Sequence, residues 1–117
     1  MKIEERIEKD VVLLPLEGKL MGGAETTILS DQLQQLIAKG YNKVVLDFDQ
    51  VKWINSPGIG LLIKWLLILR ENGGDLRLTN AKDKVEQYLK ITKLMTVIRT
   101  FDCPQDAINS FLFPLSV

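Results

Sequence analysis

The spacing of hydrophobic and polar positions switches along the chain between the two-residue period of strands and the helical period of about 3.6 residues. Alternation or a short apolar run predicts strands over residues 3–9, 11–17, 43–48, 76–79 and 95–99. Helical spacing predicts helices over residues 24–39, 58–72, 82–92 and 102–113. The predicted order of elements is therefore β-β-α-β-α-β-α-β-α.

This order predicts the fold class. Strands that alternate with helices are joined by right-handed crossovers, which produce a mostly parallel sheet with helices packed against it. The first two strands predict a hairpin, so the sheet should be mixed. We expect a single α/β domain over residues 1–117, with about five strands and about four helices.

The composition limits the function classes. The chain carries 15 Lys+Arg and 15 Asp+Glu, so it has no net charge that would attract nucleic acid or anionic lipid. It has no His and a single Cys, which removes the usual zinc ligands and the usual general base for a nucleophile. We therefore expect a binding or regulatory protein that is not an enzyme, with no metal, no cofactor and no nucleic-acid partner.

The sequence shows no targeting signal. The first residues are charged and lack the apolar run of a signal peptide. The most apolar stretch, residues 59–69, is interrupted by Lys64 and is shorter than the roughly 20 residues of a membrane-spanning helix. We expect a cytoplasmic protein that does not insert directly into a membrane.

Residues 53–60, with the sequence WINSPGIG, carry the most informative local pattern. Ser56 is expected to cap the helix that follows, with Pro57 as its first residue. Gly58 and Gly60 leave the first turn without side chains, so another molecule can approach the backbone closely. A helix N-terminus also favours a negative charge such as a phosphoryl group.

The helix that follows has more apolar residues than one buried face requires. The side expected to meet the sheet carries Ile59, Leu62, Trp65, Leu66 and Leu69. Gly60 and Lys64 lie opposite this side, with Ile63 and Leu67 beside them. Two interpretations remain open, because Ile63 and Leu67 either form a protein-binding patch or lie beneath a neighbouring loop.

Several short motifs occur in an order that is specific when taken together. Residues 55–60, Asn-Ser-Pro-Gly-Ile-Gly, are similar to the signature Asp-Ser-Ser/Thr-Gly-[Leu/Ile]-Gly. Similar motifs, each weak alone, lie at residues 16–20, 44–48, 73–78, 89–97 and 106–108. Over nearly its whole length the chain resembles the STAS domain family, whose members include the anti-anti-sigma factors, or anti-sigma factor antagonists. The resemblance implies a STAS-like fold.

The resemblance also implies a function by partner switching. In the family, the dephosphorylated STAS protein binds an anti-sigma factor that is also a serine kinase, and this binding frees the sigma factor. The kinase phosphorylates the second hydroxyl residue of the signature, and the complex dissociates. Here Pro57 occupies that position and cannot be phosphorylated, and Asn55 stands in place of the signature Asp. Leu20 is followed by Met-Gly-Gly, where many members carry an Asp.

Three interpretations of these departures remain open. The chain binds its partner without the usual switch, or Ser56 has become the phosphoacceptor, or the domain is a constitutive subunit of another assembly. In the third case its partner would be an ABC ATPase of a transport complex or a scaffold protein of a stress-sensing complex. A small-molecule or nucleotide sensor that uses the loop at the helix N-terminus is a further alternative.

We expect an anti-sigma factor antagonist whose partner is an anti-sigma factor serine kinase, with Ser56 as the candidate phosphorylation site. We call the residues expected to contact that partner the partner-binding surface. They are Met21, Gly22, Gly23, Asn55, Ser56, Pro57, Gly58, Gly60, Ile63, Lys64 and Leu67.

Three other residues carry side chains that could be chemically reactive. Asp47 and Asp49 fall on one face of a predicted strand end, which suits either a metal or acid–base pair or an exposed strand end. Cys103 precedes a predicted helix and is either a reactive thiol or a structural one. We expect neither a metal site nor catalytic residues here, because no third ligand or nucleophile accompanies the two carboxylates.

Overall fold

The computed structural model describes residues 1–114 as one mixed sheet with helices on both faces. The strands are β1 (Lys2–Ile3), β2 (Arg6–Glu8), β3 (Val11–Leu20), β4 (Lys43–Ile54), β5 (Asp75–Thr79) and β6 (Arg99–Phe101). The α-helices are α1 (Ala24–Ala38), α2 (Ser56–Glu71), α3 (Asp83–Ile91) and α4 (Pro104–Leu112), and a short 3₁₀ helix covers Leu94–Thr96. The predicted α/β class is therefore confirmed.

The sheet has the order β1-β3-β4-β5-β6, with β2 also paired to β3. Both short N-terminal strands run antiparallel to β3, whereas β3, β4, β5 and β6 run parallel to one another. The predicted mixed, mostly parallel sheet is confirmed. It has six strands because the first predicted strand is split into β1 and β2.

Alternate residues of the central strands enter two hydrophobic clusters. On one face Val12, Val44 and Leu76 pack with α1, α2 and α3 in the main core. On the other face Val11, Leu13 and Val45 pack against Ala107 and Ile108 of α4. The two-residue period of a strand produces this division, and it is why the central strands read as nearly continuous apolar runs.

Three predicted strand boundaries are wrong, for two identifiable reasons. The β3–β4 pairing continues to Leu20 and Ile54, beyond the predicted ends, because register shifts at Pro15/Glu17 and Gly18/Lys19 interrupt the alternation. The segment predicted as the last strand, residues 95–99, instead begins within the 3₁₀ helix, and β6 starts only at Arg99. Lys93, at φ 60°, introduces that turn.

Within residues 1–114, no helix is long and apolar enough to cross a membrane. The most apolar helix, α2, is 16 residues long and buries one face in the main core. Its Trp65 Nε1 donates to Ser30 Oγ of α1 at 3.0 Å, so α1 lies beside α2 on the sheet.

Candidate partner-binding surface

The N-terminus of α2 is capped by Asn55. This residue has extended backbone geometry, and its side-chain oxygen accepts a hydrogen bond from the Gly58 N–H at 3.0 Å. The expectation that Ser56 is the cap is therefore wrong, because Ser56 is the first residue of α2 and Pro57 the second. Either residue type can cap a helix, but capping by Asn55 satisfies an N–H in the first turn and leaves the Ser56 hydroxyl outside the cap.

Asn55 also holds the loop between β3 and α1. Its Nδ2 donates to the backbone carbonyl of Met21 at 2.8 Å. Gly22 follows with φ +91°, and a Cβ there would lie 3.1 Å from Pro57 Cβ, so this loop packs over the first turn of α2. The structure thus brings together residues 21–23 and residues 55–58, which the sequence analysis placed on one surface.

Gly58 is required by a close backbone approach. A Cβ at this position would overlap the carbonyl oxygen of Leu20 and lie 2.9 Å from Ile54 Cγ1. Gly60 differs, because a Cβ there meets nothing within 4 Å in the described residues. The first glycine therefore lets β3 pass beneath the helix, while the second leaves part of the α2 surface flat and exposed.

Ser56 is exposed, and its hydroxyl contacts α3. The Ser56 Oγ and the Tyr88 hydroxyl lie 2.9 Å apart and share a hydrogen bond. Tyr88 is a neighbour of this site that was not predicted from the sequence. No local motif identifies it, because the contact arises only when the β5–α3–β6 crossover places α3 beside the N-terminus of α2.

Further along α2, two apolar side chains face solvent. Ile63 is 40% exposed and Leu67 is 54% exposed, next to the exposed Lys64. The interpretation that a neighbouring loop covers them is therefore wrong. Apolar side chains beside a polar stripe are typical of surfaces that bind another protein.

A shallow cavity of about 290 Å³ lies on the α3 side of this surface. It is lined by Trp53, Ile54, Lys84, Gln87, Tyr88 and Ile91. The Lys84 Nζ lies 4.4 Å from the centroid of the Trp53 ring, in a cation–π contact. Tyr88 joins this cavity to Ser56, so the exposed Trp53 extends the apolar area beyond the residues chosen from sequence.

The carboxylates of Asp47 and Asp49 are held by different neighbouring side chains. Asp47 Oδ1 accepts hydrogen bonds from Thr79 and Asn80, and the Asp49 carboxylate pairs with the Lys82 ammonium at 2.6 Å. The hydrogen bond from Lys82, followed by one from Gln50, lowers the pKa of Asp49 below its ordinary value. In the described part of the chain no group of three His, Cys, Asp or Glu side chains could hold a metal ion.

Cys103 immediately precedes α4 and is partly buried. Its side chain makes no capping hydrogen bond to that helix. It lies on the opposite face of the sheet from α2, since α4 packs in the second cluster. The thiol is thus separate from the partner-binding surface.

Comparison with known proteins identifies the family. The model of the STAS domain family matches residues 2–107. The chain belongs to the STAS domain family. This STAS protein is 28% identical over 104 residues to a candidate anti-sigma factor antagonist of Thermotoga neapolitana, a match that covers 89% of this chain and 92% of that protein.

Solved structures of other proteins share the fold of this chain. The crystal structure of a candidate anti-sigma factor antagonist from Thermotoga maritima is similar with a TM-score of 0.85 and 26% identity, over 92% of each chain. The anti-sigma factor antagonist SpoIIAA in its unphosphorylated form is similar in fold, with a TM-score of 0.81 and 15% identity. That match covers 98% of this chain and 100% of SpoIIAA.

Proposed function

We propose that this STAS protein is an anti-sigma factor antagonist, a non-enzymatic regulator that binds an anti-sigma factor and thereby frees the sigma factor. Residues 1–117 act as one STAS domain in this proposal. The observation that carries it is the exposure of Ile63 and Leu67 on α2, the helix whose N-terminus carries the family signature. Its relatives in sequence and structure are named as antagonists of this kind.

The partner in this proposal is an anti-sigma factor that is also a serine kinase, and it docks along α2. The N-terminal end of the surface, residues 21–23 and 55–58, is held in one arrangement by the two side-chain hydrogen bonds of Asn55. Ile63 and Leu67 supply the apolar contacts, which would exclude water from the centre of the interface. In this proposal the apolar side chains supply affinity for the partner, and the polar end is the place where a change of charge releases it.

Ser56 is the position through which a phosphate would release the partner. SpoIIAA, which is similar to this chain in fold, has been solved in both an unphosphorylated and a phosphorylated form. In this chain Pro57 stands at the usual acceptor position, and the exposed Ser56 hydroxyl is the adjacent alternative. A phosphate adds about −1.5 to −2 charges, which a helix N-terminus tolerates but an apolar interface does not.

Affinity capture from the cells that produce the protein tests this proposal. Co-purifying proteins and the Ser56 peptide are identified by mass spectrometry, with the wild type and Leu67→Asp as parallel baits. The expected result is a serine kinase of the anti-sigma type with the wild-type bait and its loss with Leu67→Asp. Capture of a transport ATPase or a scaffold protein, with Ser56 unmodified, would contradict the proposal.

Ile28→Asp is the matched control for these baits. Ile28 is 45% exposed, close to the exposure of Ile63, but it lies on α1, whereas Ile63 lies on α2. One turn further along the same face of α1, Gln32 donates to Glu5 at the N-terminal edge of the sheet. A bait carrying Ile28→Asp should therefore capture the kinase as the wild type does, because the new charge is off the partner-binding surface.

A further inference from the structure

Two arginines stand side by side at the edge of the sheet away from β1 and β2. Arg77 of β5 and Arg99 of β6 are directly paired in the parallel register, so their side chains project from the same face. Like charges on directly paired positions of neighbouring strands destabilise a sheet. Among the described residues, no carboxylate lies at salt-bridge distance from the exposed Arg99 guanidinium.

The surroundings of Arg77 do not balance this charge. Its Nε donates to Asp75 at 3.1 Å and its Nη1 to Ser110 Oγ at 2.6 Å, but the same Asp75 also pairs with Arg70 at 2.9 Å. Two guanidinium groups, those of Arg70 and Arg77, thus share one carboxylate, and Arg99 adds a third positive charge beside Arg77. The C-terminal dipole of α4 offsets about half a charge, which is less than the excess. Burial, and then the charge of Arg99, lower the pKa of Arg77.

The two arginines border a cavity of about 290 Å³ that we call the Arg77–Arg99 cavity. It is lined by Arg77, Arg99, Ser110, Phe113 and Pro114. Phe113 is 65% exposed, and the Lys9 Nζ lies 5.8 Å from its ring centroid, which adds another cation nearby. The Arg77 guanidinium is stacked 3.8 Å from the Phe111 ring, so it is held in place before any ligand arrives.

We propose that the Arg77–Arg99 cavity binds a small phosphate-bearing molecule. A guanidinium group binds phosphate oxygens through charged hydrogen bonds, and the exposed Arg99 borders the cavity with such a group. Arg77, whose Nε and Nη1 are bonded to Asp75 and Ser110, adds a second positive charge on the same face. The exposed Phe113 ring offers a stacking surface for a planar group attached to the phosphate. The cavity is at the small end of the range for ligand pockets, which suits a compact ligand. It lies on the α4 face, away from α2, and does not depend on partner binding.

Calorimetric titration and thermal unfolding test this proposal with inorganic phosphate, pyrophosphate and AMP. Sodium chloride keeps the ionic strength constant, so that general screening does not imitate binding. The full chain is compared with Arg99→Gln and with the control Arg6→Gln, whose exposed arginine lies on the opposite edge of the sheet. Arg99 is exposed and is suitable for substitution, whereas removal of Arg77 would also break its bonds to Asp75 and Ser110.

The wild type is expected to bind at least one phosphate probe and to gain in unfolding temperature as the probe is added. Arg99→Gln should bind the probe at least about tenfold more weakly than the wild type, because it removes a charged hydrogen-bond donor. Arg6→Gln should bind the probe with wild-type affinity. Without any probe, Arg99→Gln should unfold at the same temperature as the wild type or higher, because repulsion with Arg77 is relieved.

Two results would overturn the assignment. One is that none of the three probes binds above the sodium chloride control. The other is that Arg99→Gln binds the probes with wild-type affinity. AMP should bind more tightly than inorganic phosphate, and Phe113→Ala should abolish that difference, which separates recognition of the attached ring from recognition of the phosphate alone.

Discussion

The side-chain nitrogen of Asn55 lies 2.8 Å from the backbone carbonyl oxygen of Met21 and fastens the loop before α1 to the start of α2. The oxygen of the same amide caps α2 through Gly58. One side chain therefore acts as donor and acceptor at once, which the carboxylate of the family signature cannot do at neutral pH. The departure from the signature at residue 55 thus has a structural consequence.

Asn55→Asp should separate the two roles of this amide. The carboxylate keeps the cap on α2 but loses the donor to Met21 and places a negative charge against its carbonyl. We expect the free energy of unfolding to fall by about 1 kcal/mol at neutral pH, measured by urea denaturation. Asn55→Ala, which also loses the cap, should cost about 1 kcal/mol more. An Asp variant as stable as the wild type would show that the bond to Met21 contributes nothing.

The two glycines of α2 should respond to alanine in opposite directions. Gly58→Ala should lower the free energy of unfolding by about 2–3 kcal/mol, because its Cβ would overlap the Leu20 carbonyl. Gly60→Ala should raise it by about 0.5–1 kcal/mol, because its Cβ enters open space and alanine favours the helix. Equal effects of the two changes in thermal or urea unfolding would show that β3 does not pass against Gly58.

Ser56→Asp should weaken partner binding without loss of stability. The new charge is favoured by the N-terminus of α2, by about 0.3–1 kcal/mol, which roughly offsets the lost hydrogen bond to Tyr88. In the interface, the same charge has no partner, so affinity should fall, as measured by titration of the captured kinase. Ser56→Ala removes the Tyr88 bond without adding charge and should bind nearly as the wild type does. Unchanged affinity for the Asp variant would place Ser56 outside the interface.

The pairing of Asp49 with Lys82 predicts a measurable dependence on pH. Because the Lys82 hydrogen bond holds the pKa of Asp49 below its ordinary value of 3.8, Lys82→Met should raise that pKa in a carboxyl NMR titration. A lowered carboxyl pKa contributes stability above pH 3.8 that is lost as the pH falls through the folded value. Any difference in the free energy of unfolding between the wild type and Lys82→Met should therefore become smaller at acid pH. An Asp49 pKa that is the same in both would contradict the pairing.

Much of the fold follows from sequence because local spacing and turn chemistry determine it. The apolar positions of α2 at helical spacing, such as Leu62 and Leu69, are buried as predicted. The choice between Asn55 and Ser56 as the cap could not be made locally, since both side chains can accept the bond. It is decided by the Met21 carbonyl, which lies 34 residues away and which Asn55 also bonds.

The other features that the sequence did not predict depend on contacts between segments that are distant along the chain. Tyr88 reaches Ser56, and Arg99 lines up with Arg77, only after the crossovers have set the strand order. The extension of β3 depends on register shifts near Gly18, which break the alternation used to find strands. Single-sequence patterns carry no information about such pairings, because each partner by itself has an ordinary local environment.

The most direct test of the partner-binding surface is a titration of the captured kinase with wild-type protein, Ile63→Asp, Leu67→Asp and Ile28→Asp. All four are first checked for a native circular dichroism spectrum and unfolding temperature. Buried charges at the centre of an interface cost about 2 kcal/mol or more, so the variants at residues 63 and 67 should bind at least about 30-fold more weakly. Ile28→Asp should bind as the wild type does. Normal binding by folded Ile63→Asp and Leu67→Asp would contradict docking along α2.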